Sequence, residues 1–245
     1  MIAYHWLRSD LTTGSGTEPA WVLGETRRLT GKVVLGSYGY HHSPTLLDGL
    51  EYAPGAIACR VDVNKRGPSD TTKGASSRRT LLAYADATVQ IREFTCAVAD
   101  RAIHIHAVAA LRTAEMDSDA DMLAATPPII DAVSAAYAYA AANAAGNAAA
   151  SAAVARIAAN AANAANAAAN AANAAANAAA NAYNAYNASV ARIAAAGYAA
   201  TAARERRNTG YAAERDWQRT YLDRLILPLL DEARIRVLRD GDRGR

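Results

Sequence analysis

Five histidines are the residues of this chain whose types and spacing point most directly to chemistry. His41 and His42 are neighbours, and His104 and His106 are two residues apart. In a strand, the second pair would face the same side, an arrangement compatible with metal binding. A third ligand, such as His5 or His41, would have to come from the fold, so we predict no metal site. Whether these histidines bind anything stays open at this point.

Three aspartates imitate the start of a calcium-binding loop. Asp117, Asp119 and Asp121 have the spacing of its first three ligands. The sixth position is Met122 where the loop needs glycine, and the twelfth is Pro128 where it needs a bidentate glutamate. We therefore reject a calcium site. The chain also lacks the glycine-rich phosphate-binding motifs, and we expect no cofactor.

Two groups of basic residues could contact the phosphates of a nucleic acid. The first group is Lys65, Arg66, Lys73, Arg78 and Arg79, and the second is Arg204, Arg206 and Arg207. The formal net charge of the chain is only +3, and acidic residues interrupt its C-terminal arginines. A nucleic-acid partner is therefore left open but not favoured.

The elements that would position these residues form a small α+β domain over residues 1–113. Alternating apolar residues predict strands over Ile2–Leu7, Ala56–Val63 and Ala102–Val108. The strand over Ala56–Val63 would have Ile57, Cys59, Val61 and Val63 on one face. Ser43 is the expected cap of a short helix that has Pro44 in its first turn.

The rest of the domain is predicted to be loop and helix. Residues 64–79 have the composition of a polar basic loop. Thr88–Asp100 has helical spacing, which would turn Val89, Ile91, Phe94 and Val98 inward. Residues 114–126 are predicted to be an acidic linker. The two cysteines, Cys59 and Cys96, are expected to be buried free thiols.

A long all-α, Ala/Asn-rich arm is predicted over residues 127–207. Thr126 as N-cap with Pro127 at the first helical position marks its start, and alanine is the best helix former. Gly146 and Gly197 are the places where such a helix would most readily break. Unbroken, it would be on the order of 120 Å long. The sequence leaves a single rod and a helical hairpin open.

Two faces of this arm differ in composition. Asparagines recur every three or four residues on one side, which we call the amide stripe: Asn160, Asn163, Asn166, Asn170, Asn173, Asn177, Asn181, Asn184 and Asn187. Larger apolar residues occupy the other side, which we call the apolar stripe: Val154, Ile157, Tyr183, Tyr186, Val190 and Ile193. The hexapeptide Val154–Ala159 recurs as Val190–Ala195, about ten helical turns along.

Residues 208–245 are predicted to form an amphipathic C-terminal helix and a charged tail. Apolar residues at helical spacing would dock this helix: Trp217, Tyr221, Leu222, Leu225, Ile226 and Leu229. Pro228 is expected to kink or end it.

Several segments of the N-terminal half resemble a family of uncharacterised actinobacterial and phage proteins. The segments that carry the likeness are Ala3–Leu7, Gly39–Ser43, Leu46–Leu50, Tyr52–Gly55, Cys59–Val61 and Ser77–Thr88. The resemblance covers roughly residues 1–110 and implies a bacterial or phage origin. It brings no activity with it. Members often continue into an alanine-rich helical tail that carries Arg, Asp and Trp where this chain carries Asn.

A second resemblance concerns the order of His5 in an early strand and Tyr40 beside a short helix. That order resembles an ADP-ribosyltransferase-type domain, which implies a dinucleotide held by hydrogen bonding and stacking. The chain departs from the pattern in lacking a terminal glutamate near the ribose. A small enzyme or nucleotide-binding domain with a helical appendage is therefore the alternative function. It requires a pocket near His5 and Tyr40, whereas a structural protein needs none.

The leading prediction is a non-enzymatic structural or assembly protein. Alanine methyl groups bury little area, so a long Ala/Asn helix needs a neighbour. We expect the apolar stripe to be a self-association interface that gives a homo-oligomer or a larger assembly. No signal peptide is recognisable, and the recurring asparagines argue against a membrane span, so a cytoplasmic location is expected, or the virion if a phage encodes the chain.

Overall fold

The computed structural model describes residues 1–14, 18–64, 67–113, 115–148, 165–166 and 210–242. The chain divides into two compact units. The first unit is Met1–Gln90 with Tyr221–Arg245, and the second is Ile91–Thr220. An N-terminal sheet-containing region, helices and a C-terminal helix are thus present. Most of the arm predicted over 127–207 lies outside the described residues.

Six strands and one short helix lie in the first unit. They are β1 (Ile2–Leu7), β2 (Thr26–Arg28), β3 (Tyr40–His42), α1 (Leu46–Leu50), β4 (Ile57–Val63), β5 (Gly74–Ser76) and β6 (Arg78–Asp86). Four of them form an antiparallel sheet in the order β1-β4-β6-β2, and β3 pairs with β5 in a second, two-stranded sheet.

Two predicted strands are confirmed, because their apolar residues alternate as a half-buried strand requires. β1 occupies the predicted residues, and β4 begins one residue later than predicted. They pair in register from Ile2 opposite Asp62 to Leu7 opposite Ile57. The inner residues of β1, β4 and β6 enclose a core with Trp21 and Tyr40: Ala3, Leu7, Ile57, Cys59, Val61, Val63 and Leu81.

The predicted helix cap was wrong by two residues. Thr45, not Ser43, caps α1, and its Oγ1 accepts a hydrogen bond of 3.1 Å from the Asp48 N–H. The backbone of Ser43 is engaged elsewhere, because its N–H and C=O pair with those of Tyr4 at 2.9 Å each. Ser43 therefore extends the contact between the two sheets.

The predicted basic loop over 64–79 was wrong at its C-terminal end. Residues 74–76 form β5, and β6 begins at Arg78. The Arg78 guanidinium pairs with the Asp62 carboxylate of β4 at 2.7 Å, and Arg79 points to the opposite, buried face. The polar, basic composition around Arg78 and Arg79 is typical of a solvated loop, although both residues lie in a strand.

The remaining described helices are α2 (Thr88–Arg101), a π-helix (Ala102–Ala107), α3 (Val108–Thr113), α4 (Asp117–Ala124), α5 (Ala132–Ala148) and α6 (Gly210–Asp242). Helix α2 confirms its prediction, and Ile91, Phe94 and Val98 are buried. Val89 was expected inside but is 57% exposed. Cys96 and Cys59 are buried and free, as predicted.

The predicted strand over Ala102–Val108 was wrong, because the segment continues the helical backbone as a π-helix. Its alternating pattern comes from two histidines whose rings have hydrogen-bond partners around the helix. The His104 ring contacts the Asp100 carbonyl oxygen at 3.2 Å and the Thr126 carbonyl oxygen at 3.0 Å. His106 contacts the Glu214 carboxylate at 3.0 Å.

The start of the arm also differs from expectation. The predicted acidic linker over 114–126 contains helix α4. Thr126 does not cap the next helix, because its hydroxyl donates to the Leu123 carbonyl at 2.8 Å. Helix α5 starts six residues later, where the Asp131 carboxylate accepts from the Ser134 N–H at 2.8 Å. It continues through Gly146 without a break.

Helix α6 continues through Pro228, so the expectation that it could end at this residue was wrong. Leu222, Ile226 and Leu230 are buried at a spacing of four residues, and Pro228 is on the exposed side. Packing of this apolar face offsets the cost of proline in a helix, about 3 kcal/mol. The Asp231 carboxylate also pairs with the Arg60 guanidinium of β4 at 2.6 Å.

Among the described residues, one helical stretch is long and apolar enough to cross a membrane. It is Thr88–Thr113, and 59% of its most apolar window is buried inside the protein. Core helices meet the same criteria of length and composition, so this stretch is weak support for a membrane span.

Candidate ligand-binding site

A cavity of about 620 Å³ opens in the first unit. Its walls come from β1, from residues 36–43, and from Glu18, Tyr52, Lys73 and Arg79. Pockets for small ligands have volumes of about 300–1,000 Å³. The cavity therefore has the size of a small-molecule site.

His5 stands at a core position of β1, where it alternates with the buried residues Ala3 and Leu7. Its side chain is partly exposed to the cavity, but its Nε2 atom is buried and has no hydrogen-bond partner among the described residues. Burial, and next the positive charge of Arg79, hold the pKa of His5 well below its usual 6.5. The imidazole is therefore neutral at pH 7 and offers an unused nitrogen.

Arg79 supplies a buried positive charge to the same cavity. Its side chain is 2% exposed, and its guanidinium lies 4.3 Å from the Trp21 ring centroid and 5.1 Å from that of Tyr40. One of its N–H groups donates to the His41 carbonyl at 3.1 Å. Burial lowers the pKa of Arg79 to about 10, so the group stays charged at neutral pH.

Two further imidazoles line the wall formed by β3. His41 Nε2 accepts a 2.8 Å hydrogen bond from the Gly36 N–H, so this nitrogen carries no proton. His42 Nδ1 lies 3.3 Å from the Tyr40 carbonyl oxygen, to which it donates. Burial lowers the pKa of both histidines, which favours their neutral forms.

The ring of Tyr40 completes the inner wall. It meets the Trp21 ring edge to face, with 5.6 Å between centroids and 78° between planes. Burial, and next the charge of Glu18, raise the pKa of the Tyr40 phenol, so it stays protonated at neutral pH. Tyr40 thus presents an aromatic surface beside a cation.

Among the described residues, Glu18 is the one carboxylate that lines the cavity, and it was not predicted from the sequence. Glu18 Oε2 accepts from the Trp21 indole N–H at 3.1 Å and lies 3.7 Å from Arg79 Nη2. Because this contact is long, Glu18 only partly neutralises Arg79. The charged groups of the cavity at neutral pH are therefore two cations, Arg79 and Lys73, and one anion.

The arrangement suits binding of an anion. A guanidinium fork and a free imidazole nitrogen can converge on phosphate or carboxylate oxygens. Among the described residues, no group of three His, Cys, Asp or Glu side chains is placed to hold a metal ion. His104 and His106 belong to the second unit and bond to Asp100 and Glu214 instead.

The structure does not test the self-association interface that the sequence predicts. The apolar stripe (Val154, Ile157, Tyr183, Tyr186, Val190 and Ile193) lies outside the described residues. Of the amide stripe, Asn166 alone is described, and it is helical and exposed. The other members (Asn160, Asn163, Asn170, Asn173, Asn177, Asn181, Asn184 and Asn187) lie outside as well. Both stripes stay predictions.

His5 and Arg79 could have been recognised in the sequence, because each alternates with buried apolar residues of its strand. His5 alternates with Ala3 and Leu7 in β1, and Arg79 alternates with Leu81 and Ala83 in β6. A titratable side chain at a core position of a strand either has a buried partner or faces a cavity. Nothing in the local sequence marks Glu18 in the same way.

Comparison with known proteins adds no relative: no family model, curated protein or solved structure matches this chain.

Proposed function

We propose that the N-terminal region binds a small anionic molecule of the nucleotide class in the cavity around His5 and Arg79. The observation that carries this proposal is that one cavity of about 620 Å³ is lined both by Arg79, which has a buried guanidinium, and by His5, whose Nε2 has no partner among the described residues. A pocket near His5 and Tyr40 is the feature that separates a binding domain from a purely structural one.

The energetics of these two groups support an anionic ligand. A buried nitrogen without a partner costs about 1–3 kcal/mol, which a ligand oxygen or hydroxyl would recover. With two cations and one carboxylate, the cavity carries a net positive charge. The neutral histidines add donors and acceptors without adding charge. An anion is therefore favoured over a cation.

The aromatic lining supports a ligand that also carries a flat ring. Tyr38 and Tyr52 are partly exposed at the cavity, and Tyr4 and Trp6 line it from β1. Nucleotide bases stack on such rings with about 1–3 kcal/mol per base. A phosphate at Arg79 and a base at a tyrosine would use both parts of the cavity.

The test is calorimetric titration of the full chain with AMP. We expect saturable binding, and we expect His5→Leu to weaken it about tenfold through the loss of one hydrogen bond to the ligand. His104→Leu is the matched control, because His104 lies in the second unit and does not line the cavity. Absence of binding to the parent chain, or equal binding by His5→Leu, would refute the proposal.

Assembly through the arm is a second candidate function, and the two stripes of the sequence favour it. Val154 and Ile157 recur as Val190 and Ile193, which the predicted helix would place on the side opposite the asparagines. Such a helix gains stability by packing its small residues against a neighbour, whether its own return helix or another copy.

Sedimentation of the double variant Ile157→Asp and Ile193→Asp tests this second function. Charges in the apolar stripe should reduce the mass of any oligomer, because a buried carboxylate without a partner is costly. The matched control replaces Asn163 and Asn181, which are predicted to lie on the opposite side, with Asp. An unchanged sedimentation coefficient for the apolar-stripe variant would exclude the stripe as the interface.

A further inference from the structure

Lys73 is the second cation of the cavity, and its backbone position is fixed. It directly precedes β5, whose Gly74 pairs with His42 of β3. The Asp70 carboxylate accepts hydrogen bonds of 2.8 Å from the N–H groups of Thr72 and Lys73, which closes a tight turn. The segment that presents Lys73 is thus tied to the wall that carries the histidines.

The Lys73 ammonium lies over an aromatic ring. Its Nζ is 4.7 Å from the ring centroid of Tyr52, and the Tyr52 hydroxyl forms a 3.0 Å hydrogen bond with Thr72. Within the part of the chain that the structure describes, no carboxylate forms an ion pair with this ammonium. Tyr52 therefore orients the charge without neutralising it.

Lys73 and Arg79 mark two separate places in the cavity. Arg79 is buried between Trp21 and Tyr40, whereas Lys73 is partly exposed beside Tyr52. His41 lies near both cations. Burial is the largest cause that lowers the pKa of His41, and the charges of Lys73 and Arg79 are the next largest causes. A ligand that fills the cavity would meet one cation at each place.

We propose that Lys73 and Tyr52 form a second anion subsite, so that the preferred ligand carries two phosphate-like groups rather than one. This inference rests on the proposed function. The inner group would bind the Arg79 guanidinium and His5 Nε2, and the outer group would bind the Lys73 ammonium. The ligand class is then a nucleoside diphosphate.

Calorimetric titration of the full chain with ADP and AMP tests the second subsite. The parent chain should bind ADP about tenfold more tightly than AMP, because one charge-assisted hydrogen bond is added. Lys73→Gln should remove that preference and change AMP affinity by less than about threefold. Lys32→Gln is the matched control, because Lys32 is exposed and does not line the cavity.

The outcomes separate this inference from the proposal on which it rests. If AMP binds but ADP is not preferred, or if Lys73→Gln weakens both ligands equally, the second subsite is refuted and the anion site stands. If neither nucleotide binds the parent chain, both proposals fail. If Lys32→Gln lowers the ADP preference as Lys73→Gln does, the effect is a general one of net charge, and the subsite is again refuted.

Discussion

Replacing Glu214 with Gln removes the buried charge at the centre of an ion cluster in the second unit. The Glu214 side chain is 1% exposed, and its Oε2 accepts hydrogen bonds from Arg101 at 2.9 Å and from His106 at 3.0 Å. Gln218 donates to its other oxygen at 3.2 Å. The Arg101 guanidinium also lies 4.1 Å from the ring centroid of Trp217.

The size of the effect follows from the pKa of this carboxyl group. Burial alone would raise the pKa of Glu214, but hydrogen bonds from His106 and Arg101 outweigh burial and hold it at about 2, against an ordinary 4.5. A lowering of this size corresponds to about 3 kcal/mol of stabilisation. The Arg101 side chain is 27% exposed, so solvent screening reduces the expected value to about 1–2 kcal/mol.

The sign of the pH dependence is determined by the lowered pKa. The folded state binds fewer protons than the unfolded state between pH 4.5 and 2, so the stabilisation is complete above pH 4.5 and is lost as the pH falls towards 2. Hydrogen exchange of amides in residues 212–220 measures the free energy of opening this segment. Glu214→Gln should lower that free energy by about 1–2 kcal/mol at pH 7 and by roughly 40% of that amount at pH 3.

Asp216→Asn is the matched control for this prediction. Asp216 lies on the same helix, but it is exposed, and among the described residues it forms an ion pair only with Arg219, three residues away. Removing its charge should change the free energy by less than about 0.5 kcal/mol. A difference between Glu214→Gln and the parent that stays constant from pH 7 to pH 3, or that matches the control, would refute the assignment of stability to the buried cluster.

Two further predictions concern the cavity. The His41 imidazole accepts a hydrogen bond from the Gly36 N–H only while the imidazole is neutral, and burial lowers the pKa of His41. This hydrogen bond is therefore present above pH 6.5 and is lost as the pH falls through the lowered pKa. Exchange of the Gly36 amide, corrected for its intrinsic pH dependence, should accelerate below pH 6.5, and constant protection down to pH 4 would contradict this. Gly74→Ala would place a methyl group 2.7 Å from His42 Nε2, which should destabilise the first unit by about 1–3 kcal/mol in thermal unfolding. An unchanged unfolding temperature would show that the His42 ring can move away freely.

Regular periodicity made part of the fold predictable from the sequence. β1, β4 and α2 were recognisable because their apolar residues repeat at the spacing of one buried face. The same rule failed at residues 102–107, because His104 and His106 imitate a strand while they bond to partners around a π-helix. Short alternating runs do not distinguish a strand from a helix whose polar residues have partners of their own.

The candidate site was only partly predictable. His5 and Tyr40 were singled out, but the groups that complete the cavity come from distant segments joined by strand pairing. Arg79 was assigned to a loop because residues 64–79 are polar and basic, whereas it is buried in β6. Register across a sheet depends on the packing of all strands together, which local composition does not specify.

The proposed nucleotide site depends on the buried imidazole nitrogen of His5. Nitrogen-15 spectra of the histidine rings, recorded during titration of the full chain with ADP, observe that atom directly. We predict that the Nε2 resonance of His5 shifts on binding while those of His104 and His106 stay in place. Unchanged His5 resonances at saturating ADP, or shifts confined to His104 and His106, would show that the nucleotide does not bind at His5.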